Sequence, residues 1–302
     1  MISARFEAAL ATFVDKVKVD PNVLAVIVIG SLANDVVWEK SDMDVTVLVK
    51  DLKLMAYSFC IEEDGLIINV GLYDEFKFKR SQERSLGGGF GQSFYNKARV
   101  VYAKDDTLKT FLDDLQKTGE DDRALTFFQL TAGLVYYMEK IEKWLTIKAD
   151  PAYAQYWVLK AADSYANMVL VADRKPLSRE AVLKVMEYAP EKIEHLYLRP
   201  MRGMMTHDEV VYVIEFFRGF LHDNIDLIRK PVDDYMNDGD VRTVTALVKH
   251  FGGSSHDIYH IFDFLEEYGI VGRVSEPVKI TPKSRRTADE VAYIYIENEA
   301  QL

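Results

Sequence analysis

The sequence predicts an α+β fold, because its two halves have different hydrophobic periods. Up to about residue 118, short apolar runs of strand length alternate with turn residues. From residue 122 onward, apolar side chains recur every three or four residues, which is typical of helices. The last stretch combines two short helices with two strand-like runs. We therefore expect three domains: a mixed-sheet domain at 1–118, a helical bundle at 119–235 and a small tail at 236–302.

The first domain opens with an amphipathic helix over residues 3–18, which ends before the Pro21-Asn22 break. The first strand-like run is almost wholly apolar, as in a strand buried on both faces. Residues 53–60 fit either a strand or a short helix. The strand-like runs lie at 23–29, 45–49, 66–73 and 98–103.

The second half is predicted to be a bundle followed by a tail with the element order of a winged helix. Ser178 is a candidate helix cap, and Pro231 is expected to stop the last bundle helix. The bundle helices are expected at 122–147, 152–172, 178–188 and 206–229. The tail is expected to have helices at 241–250 and 255–268 and strands at 270–274 and 291–296.

Composition limits the kind of protein. The chain of 302 residues is 49% hydrophobic, so it can bury a substantial core. A net charge of -11 argues against a broad nucleic-acid surface. We expect no membrane span, no signal peptide and a cytoplasmic location. Cys60 is the one cysteine, which excludes an intrachain disulfide, and its apolar surroundings predict a buried thiol.

The most informative stretch joins the first two strands. It has a Gly30-Ser31 turn after the first strand and the run Ser41-Asp42-Met43-Asp44 at the start of the second. Residues two apart on a strand point to the same side, so both carboxylates are expected to face one pocket. The plainer interpretation is a capped turn followed by a solvated strand end.

This spacing resembles the nucleotidyltransferase superfamily related to DNA polymerase beta, and most of all its small bacterial antibiotic nucleotidyltransferases. The resemblance implies that Asp42 and Asp44 are catalytic and hold Mg²⁺, and that Gly30, Ser31 and Ser41 contact the triphosphate of ATP or another donor. Carboxylate oxygens are the ligands that Mg²⁺ prefers, and metal ions stabilise the charge that develops on the phosphate oxygens.

Two positions depart from the pattern. Many relatives have Arg-Gly in the connecting segment, where this chain has Asn34-Asp35. The third carboxylate of the family falls on Asn69, which can offer an oxygen to a nucleotide-bound metal but carries no charge. Asp74 or the Glu62-Glu63-Asp64 turn could substitute for it.

These departures leave three functions open. The chain could transfer a nucleoside monophosphate to a hydroxyl of a small molecule. It could instead be a degenerate nucleotide-binding regulator that acts through its winged-helix-like tail. It could also nucleotidylate a partner protein, as in toxin–antitoxin pairs.

Residues 120–300 are more loosely similar to the helical half of uncharacterised bacterial nucleotidyltransferases, through the segments at 156–163 and 178–180. In antibiotic nucleotidyltransferases a carboxylate of this half can be the general base. The candidates here are Glu139, Asp163 and Glu180, and the sequence does not choose among them. Lys160 could meet a phosphate or the acceptor, although a lysine lying along a bundle helix is the commoner case. Most aromatic side chains of the bundle are expected in its core, and a few could line an aromatic acceptor pocket.

Two further features of the sequence each allow a functional and a plainer interpretation. The glycine-rich loop at 87–91 could cover a triphosphate neutralised by Lys79, Arg80 or Arg84, or it could be a plain connection. His256 and His260 lie one helical turn apart, but we expect exposed side chains because no third ligand is evident.

The tail is predicted to bear basic residues on its wing, at Lys279, Lys283, Arg285 and Arg286. Its net charge from 236 to 302 is nevertheless -4, with 7 Lys and Arg against 11 Asp and Glu. Nucleic-acid binding is therefore not expected, and a structural role or pairing of two copies in a homodimer is favoured.

Overall fold

The computed structural model describes residues 2–33, 37–50, 57–85, 98–115 and 120–296. The chain packs as two compact units, Met1–Thr118 and Gly119–Leu302. The first contains a mixed sheet with helices and the second is mainly helical. This is the α+β fold that the sequence predicted.

The first unit is organised around a five-stranded sheet in the order β3-β4-β2-β1-β5, as far as its residues are described. Strands β2 and β4 are parallel, and the other neighbouring strands are antiparallel. The elements in chain order are α1 Ile2–Val17, β1 Val23–Ile29, α2 Gly30–Ala33, β2 Met43–Val49, β3 Ser58–Glu63, β4 Leu66–Asp74, α3 Glu75–Ser85, β5 Arg99–Ala103 and α4 Thr107–Leu115.

Strand β1 is buried on both faces, which explains its continuous apolar sequence. Val26 and Val28 join a core cluster with helix α1, whereas Ile27 joins a second cluster with Phe78 of α3 and Leu108 of α4. Each fully buried large apolar side chain contributes about 1.5–3 kcal/mol. These two layers hold the end of β1, and with it the Gly30 turn, in a fixed position.

Strands β3 and β4 form a tight hairpin, which includes part of the segment 53–60 that fitted either a strand or a short helix. Asp64 and Gly65 have φ values of 51° and 71°, as a two-residue hairpin turn requires. The Arg5 guanidinium donates a hydrogen bond to the Asp64 carbonyl at 2.9 Å. Residues 58–60, which fitted a strand or a short helix, are therefore strand, while residues 51–56 lie outside the described residues.

The second unit is a helical bundle whose core continues into the tail. The bundle helices are α5 Glu120–Glu142, α6 Pro151–Ala172, α7 Ala181–Tyr188, α8 Arg199–Met201, α9 His207–Asp223 and α10 Ile225–Met236. A π-helical turn, Lys143–Ile147, follows α5, and short turns at Pro190–Lys192 and Glu194–Leu198 precede α8. No helix in the described ranges is long and apolar enough to cross a membrane.

The tail consists of β6 Arg242–Thr243, α11 Val244–Phe251, α12 Ser255–Glu267, β7 Val271–Val278 and β8 Ala288–Tyr295, with sheet order β6-β8-β7. Phe262 and Tyr293 of the tail are fully buried with ring centroids 4.9 Å apart. They belong to the same core cluster as Phe128 and Tyr165 of the bundle. The bundle and the tail thus share one core, and the domain boundary at residue 236 stays a prediction.

Two predicted helix boundaries are wrong. Pro231 does not stop a helix but lies buried inside α10, and the break comes at Asn224 instead. A proline inside a helix costs about 3 kcal/mol, but burying Ile228, Val232 and Met236 outweighs this at about 1.5–3 kcal/mol each. Ser178 does not cap α7, because the helix begins at Ala181 and Glu180 is the residue at its N-cap position. The Ser178 hydroxyl instead accepts a hydrogen bond from the Glu180 amide, before the helix begins.

Candidate functional site

The ends of three neighbouring strands bring the predicted site residues together. In the sheet, Asp44 of β2 lies opposite Ile29 at the end of β1 and opposite Asn69 of β4. Asp42 comes just before β2 and points to the same side as Asp44. The sequence prediction that both carboxylates face one site therefore agrees with their positions.

Asn69 links the two carboxylates through its amide nitrogen. Its Nδ2 donates to Asp42 Oδ2 at 2.5 Å and to Asp44 Oδ1 at 3.3 Å. One amide group thus satisfies two acidic side chains that would otherwise repel each other. The family pattern that the sequence resembles has a third acid at this position, and this chain has a neutral donor there.

Cys60 is part of this arrangement, which the sequence did not predict. The thiol is exposed, not buried, because β3 is the edge strand of the sheet. Cys60 lies opposite Asn69 in the β3–β4 pairing, and its Sγ donates to Asn69 Oδ1 at 3.0 Å. Once β3 was known to be a strand paired with β4, the alternation of its side chains could have predicted that Cys60 lies on the same side as Asn69.

Gly30 is required at its position for two physical reasons. Its φ is +73°, a conformation that other residues adopt at a cost. A Cβ atom there would lie 2.8 Å from Asp44 Oδ2, so the turn can approach the carboxylate only because it has no side chain. The backbone of the turn is therefore held against the acidic pair.

The two serines are local structural elements of the site. Ser31 Oγ donates to the Asp42 carbonyl at 3.5 Å, which ties the Gly30 turn to the start of β2. Ser41 Oγ accepts a hydrogen bond from the Trp38 amide at 3.1 Å, and the Ser41 amide donates to the Trp38 carbonyl at 3.0 Å. A triphosphate contact by Ser31 or Ser41 stays a prediction.

Two of the carboxylates proposed as substitutes for a third acid, Asp74 and Glu63, are engaged elsewhere. Asp74 is paired with Val49, five residues beyond Asp44, which is about 16 Å along the strand. It accepts a hydrogen bond from the Lys77 amide at the start of α3. Glu63 is nearly buried and binds Lys16 Nζ at 2.6 Å.

Some predicted contacts fall on residues that the structure leaves undescribed. Among the candidate cations, Lys79 binds Glu75 at 2.7 Å. The Asn34-Asp35 segment, the loop at 87–91 and the side chain of Arg84 lie outside the described residues. In the described part of the chain, no three His, Cys, Asp or Glu side chains are grouped to hold a metal ion.

The three candidate general bases all belong to the second unit. Asp163 is half-buried, and this burial raises its pKa, with a further contribution from the negative charge of Glu180. The structure therefore brings Asp163 and Glu180 close enough to interact. Glu139 is separate from them and accepts a hydrogen bond from a histidine.

His260 contradicts the expectation that both tail histidines are exposed. Its ring is buried between α12 and α5, and Nδ1 lies 2.8 Å from Glu139 Oε1. Its Nε2 lies 3.1 Å from His256 Nε2, and His256 is exposed as predicted. The helical spacing of the pair was visible in the sequence, but the distant partner Glu139 was not.

Comparison with known proteins supports the fold. No protein-family model matches the chain, and no curated protein matches it in sequence. Among solved structures, it is similar to a nucleotidyltransferase-like protein from Exiguobacterium sibiricum, with a TM-score of 0.66 and 14% identity. The match covers 97% of this chain and 100% of that chain. This chain therefore has the fold of a nucleotidyltransferase-like protein over nearly its whole length.

Proposed function

We propose that the site at the strand ends binds a nucleoside triphosphate with Mg²⁺, and that the chain transfers a nucleoside monophosphate from it to a hydroxyl group. The observation that carries this proposal is the placing of Asp42 and Asp44 around one amide nitrogen, beside the Gly30 turn. Proteins usually hold Mg²⁺ with one or two carboxylates together with substrate phosphates. Two carboxylates are therefore a sufficient protein contribution.

Four residues of the site would each have a part in this reaction. Asp42 and Asp44 would hold Mg²⁺, which supplies positive charge to the phosphate oxygens. Gly30 leaves the turn backbone open to the triphosphate. If the Asn69 amide turned over, its Oδ1 would face the metal. The acceptor oxygen bonds to the α-phosphorus, the bond to the bridging oxygen breaks and pyrophosphate leaves. The acceptor proton passes to a general base.

Asn69 also favours a second function, a nucleotide-binding regulator without turnover. A neutral amide cannot supply the third negative charge that the family pattern has at this position. It donates to both carboxylates and so competes with a metal for their oxygens. Binding without transfer is the outcome that this arrangement predicts if the amide stays in place.

Calorimetric titration with the four nucleoside triphosphates, with and without Mg²⁺, tests the binding step. Pyrophosphate release in the presence of small hydroxyl compounds then tests the transfer. We expect Mg²⁺-dependent binding that is lost in Asp42→Asn and Asp44→Asn. Release of pyrophosphate supports the enzyme, and binding without release supports the regulator.

Asp15→Asn is a matched control, because Asp15 is an exposed acid of the same unit that forms a surface ion pair with Lys18. It should bind nucleotide like the parent chain. If no triphosphate binds with Mg²⁺, or if Asp42→Asn and Asp15→Asn bind equally well, both functions are excluded for this site.

A further inference from the structure

The second unit carries an aromatic cluster that the nucleotide site does not use. It surrounds the π-helical turn between α5 and α6 and is called here the aromatic face. Neighbouring ring centroids lie 4.2 Å apart for Trp144–Tyr153 and 5.4 Å apart for Tyr153–Tyr156. The members of the aromatic face are Tyr136, Tyr137, Trp144, Tyr153, Tyr156 and Trp157.

Two rings of the aromatic face are open to solvent, unlike the aromatic core of the same bundle. Tyr153 is 40% exposed and Tyr156 is 46% exposed, whereas Tyr165 of the same helix is only 2% exposed. An exposed tyrosine ring offers stacking area at little cost in conformational entropy. Tyr153 and Tyr156 are therefore exceptions among bundle aromatics that were expected to be mostly core.

The charges around the face are positive. Lys140 Nζ lies 4.7 Å from the Tyr136 ring centroid, and Lys160 Nζ lies 4.8 Å from that of Trp157 and 5.2 Å from that of Tyr156. Neither lysine forms an ion pair with any residue that the structure describes. Both ammonium groups are thus available to an anion.

The nearby acids, in contrast, have partners. Glu139 binds His260 at 2.8 Å, Glu142 lies 3.6 Å from Arg218, and the Asp150 side chain caps α6 by accepting from the Tyr153 amide. The balance of unpaired charges at the aromatic face therefore favours binding of an anion, although the whole chain has a net charge of -11.

We propose that the aromatic face binds a nucleobase that carries phosphate, with the base stacked on the exposed ring of Tyr156 and the phosphate held by Lys140 and Lys160. Stacking on an aromatic side chain tolerates every base, because every base has a π-face. The two lysines provide the electrostatic attraction for the phosphate. A free nucleotide and a single-stranded oligonucleotide both have this chemistry. The proposal does not depend on nucleotide binding by Asp42 and Asp44.

Tryptophan fluorescence tests the proposal directly, because two of the three tryptophans belong to the face. In a Trp38→Phe, Asp42→Asn, Asp44→Asn background without Mg²⁺, the signal comes from Trp144 and Trp157 and the other nucleotide site is disabled. We expect saturable quenching by AMP, affinity for adenosine at least fivefold weaker, and no quenching by ribose 5-phosphate.

Three variants of the face are compared with two matched controls. Tyr156→Ala and Lys160→Gln should each weaken AMP binding at least fivefold, and Tyr156→Phe should retain it because the stacking ring remains. Tyr212→Ala and Lys184→Gln change an equally exposed tyrosine and lysine elsewhere in the unit and should have no effect. Circular dichroism checks that each variant is folded.

A ten-nucleotide single-stranded DNA identifies the source of the ligand. Tighter binding of the oligonucleotide than of AMP assigns the face to a nucleic-acid strand, and tighter binding of AMP assigns it to a free nucleotide; both results support the proposal. It is overturned if neither probe quenches the fluorescence at millimolar concentration. It is also overturned if folded Tyr156→Ala and Lys160→Gln bind AMP like the controls, or if ribose 5-phosphate binds as tightly as AMP.

Discussion

At the scale of single residues, Asn69 decides how the candidate site behaves without a ligand. Its amide donates to both carboxylates, so it takes the place that a cation would have between them. Cys60 in turn donates to the amide oxygen and fixes which end of Asn69 faces Asp42 and Asp44. A side chain that departs from the family pattern is thus well accommodated by its neighbours.

Replacing Asn69 by Asp should make the site depend on metal. Three carboxylates would meet where one amide now separates two, so without Mg²⁺ we expect the free energy of unfolding to fall by on the order of 1–3 kcal/mol. With Mg²⁺ and a triphosphate, binding should become about tenfold tighter, or about 1.4 kcal/mol. Thermal unfolding and calorimetric titration measure the two effects.

Asn69→Ala is the control that removes the amide without adding charge. It should also lower the stability, but Mg²⁺ should not restore it. If Asn69→Asp is as stable without Mg²⁺ as the parent chain, the amide does not hold the two carboxylates together.

Asp163 provides a prediction about pH. Burial, with the charge of Glu180, raises the pKa of Asp163 in the folded state, so the folded state binds this proton more tightly than the unfolded state. The stability that Asp163 contributes is therefore greatest at acid pH and is lost as the pH rises through the raised pKa. Asp163→Asn should raise the unfolding temperature at neutral pH, and the difference should shrink toward about pH 4.

Glu187→Gln is the matched control for Asp163→Asn. Glu187 is an exposed acid of the same unit whose side chain contacts Lys184. Its replacement should leave the pH dependence unchanged. A lower unfolding temperature for Asp163→Asn at neutral pH would show that its charge is stabilised by the fold.

At the scale of elements, the sequence was sufficient where local chemistry decides the structure. Strand β1 was predicted at its observed bounds because its continuous apolar run can only be buried on both faces. The positions of the Gly30-Ser31 turn and of Asp42 and Asp44 at the start of β2 were predicted from their spacing. The buried histidine His260 was not, because its partner Glu139 is 121 residues away in the sequence.

Pro231 and Cys60 show the same limit in other ways. Pro231 was expected to end a helix, since its missing amide donor is a local cost, but burial of the surrounding apolar side chains is a tertiary gain that local rules omit. Cys60 lies in an apolar run, yet its exposure depends on β3 being at the edge of the sheet. The strand order that determines this could not be predicted from the residues.

The backbone turn at Gly30, which directly follows β1 and begins α2, gives the prediction at this scale. Gly30→Ala should destabilise the first unit by about 1–2 kcal/mol from the positive φ, with a further cost from the contact with Asp44 Oδ2. It should also abolish binding of Mg²⁺ and triphosphate, because Asp44 must move. Denaturant unfolding and calorimetric titration measure both.

Gly219→Ala is the matched control, because Gly219 lies in helix α9 and an added Cβ would meet no atom within 4 Å. Alanine is the better helix former by about 0.5–1 kcal/mol, so this variant should be slightly more stable and should bind nucleotide normally. If Gly30→Ala binds nucleotide normally, the Gly30 turn is not needed for binding and the prediction is wrong.

At the scale of the whole molecule, the likeness to a nucleotidyltransferase-like structure extends across both units, while the chemistry inferred for them differs. The first unit has acidic side chains suited to a metal and a triphosphate. The second has an aromatic face with two lysines that lack ion pairs within the described residues. The fold is shared with the neighbour, but these side chains belong to this sequence, so each site needs its own test.

The tail allows a prediction about the binding of duplex DNA. The composition of the sequence already argued against such binding. Helix α12 has no Lys or Arg, and its acids would meet phosphates if it entered a groove. These acids are Asp257, Asp263, Glu266 and Glu267. The loop between β7 and β8 is basic, with exposed Lys279, Lys283, Arg285 and Arg286.

We expect no gel shift of a duplex DNA fragment, even at low ionic strength, and no change when Arg285 and Arg286 are both replaced by Ala. Four basic side chains on one loop contact few phosphates, and the net charge of -11 repels the remainder of the duplex. A shift that weakens with salt and disappears in the double variant would contradict this, and would assign the loop to DNA binding. The same double variant should still bind AMP at the aromatic face, since neither arginine belongs to it.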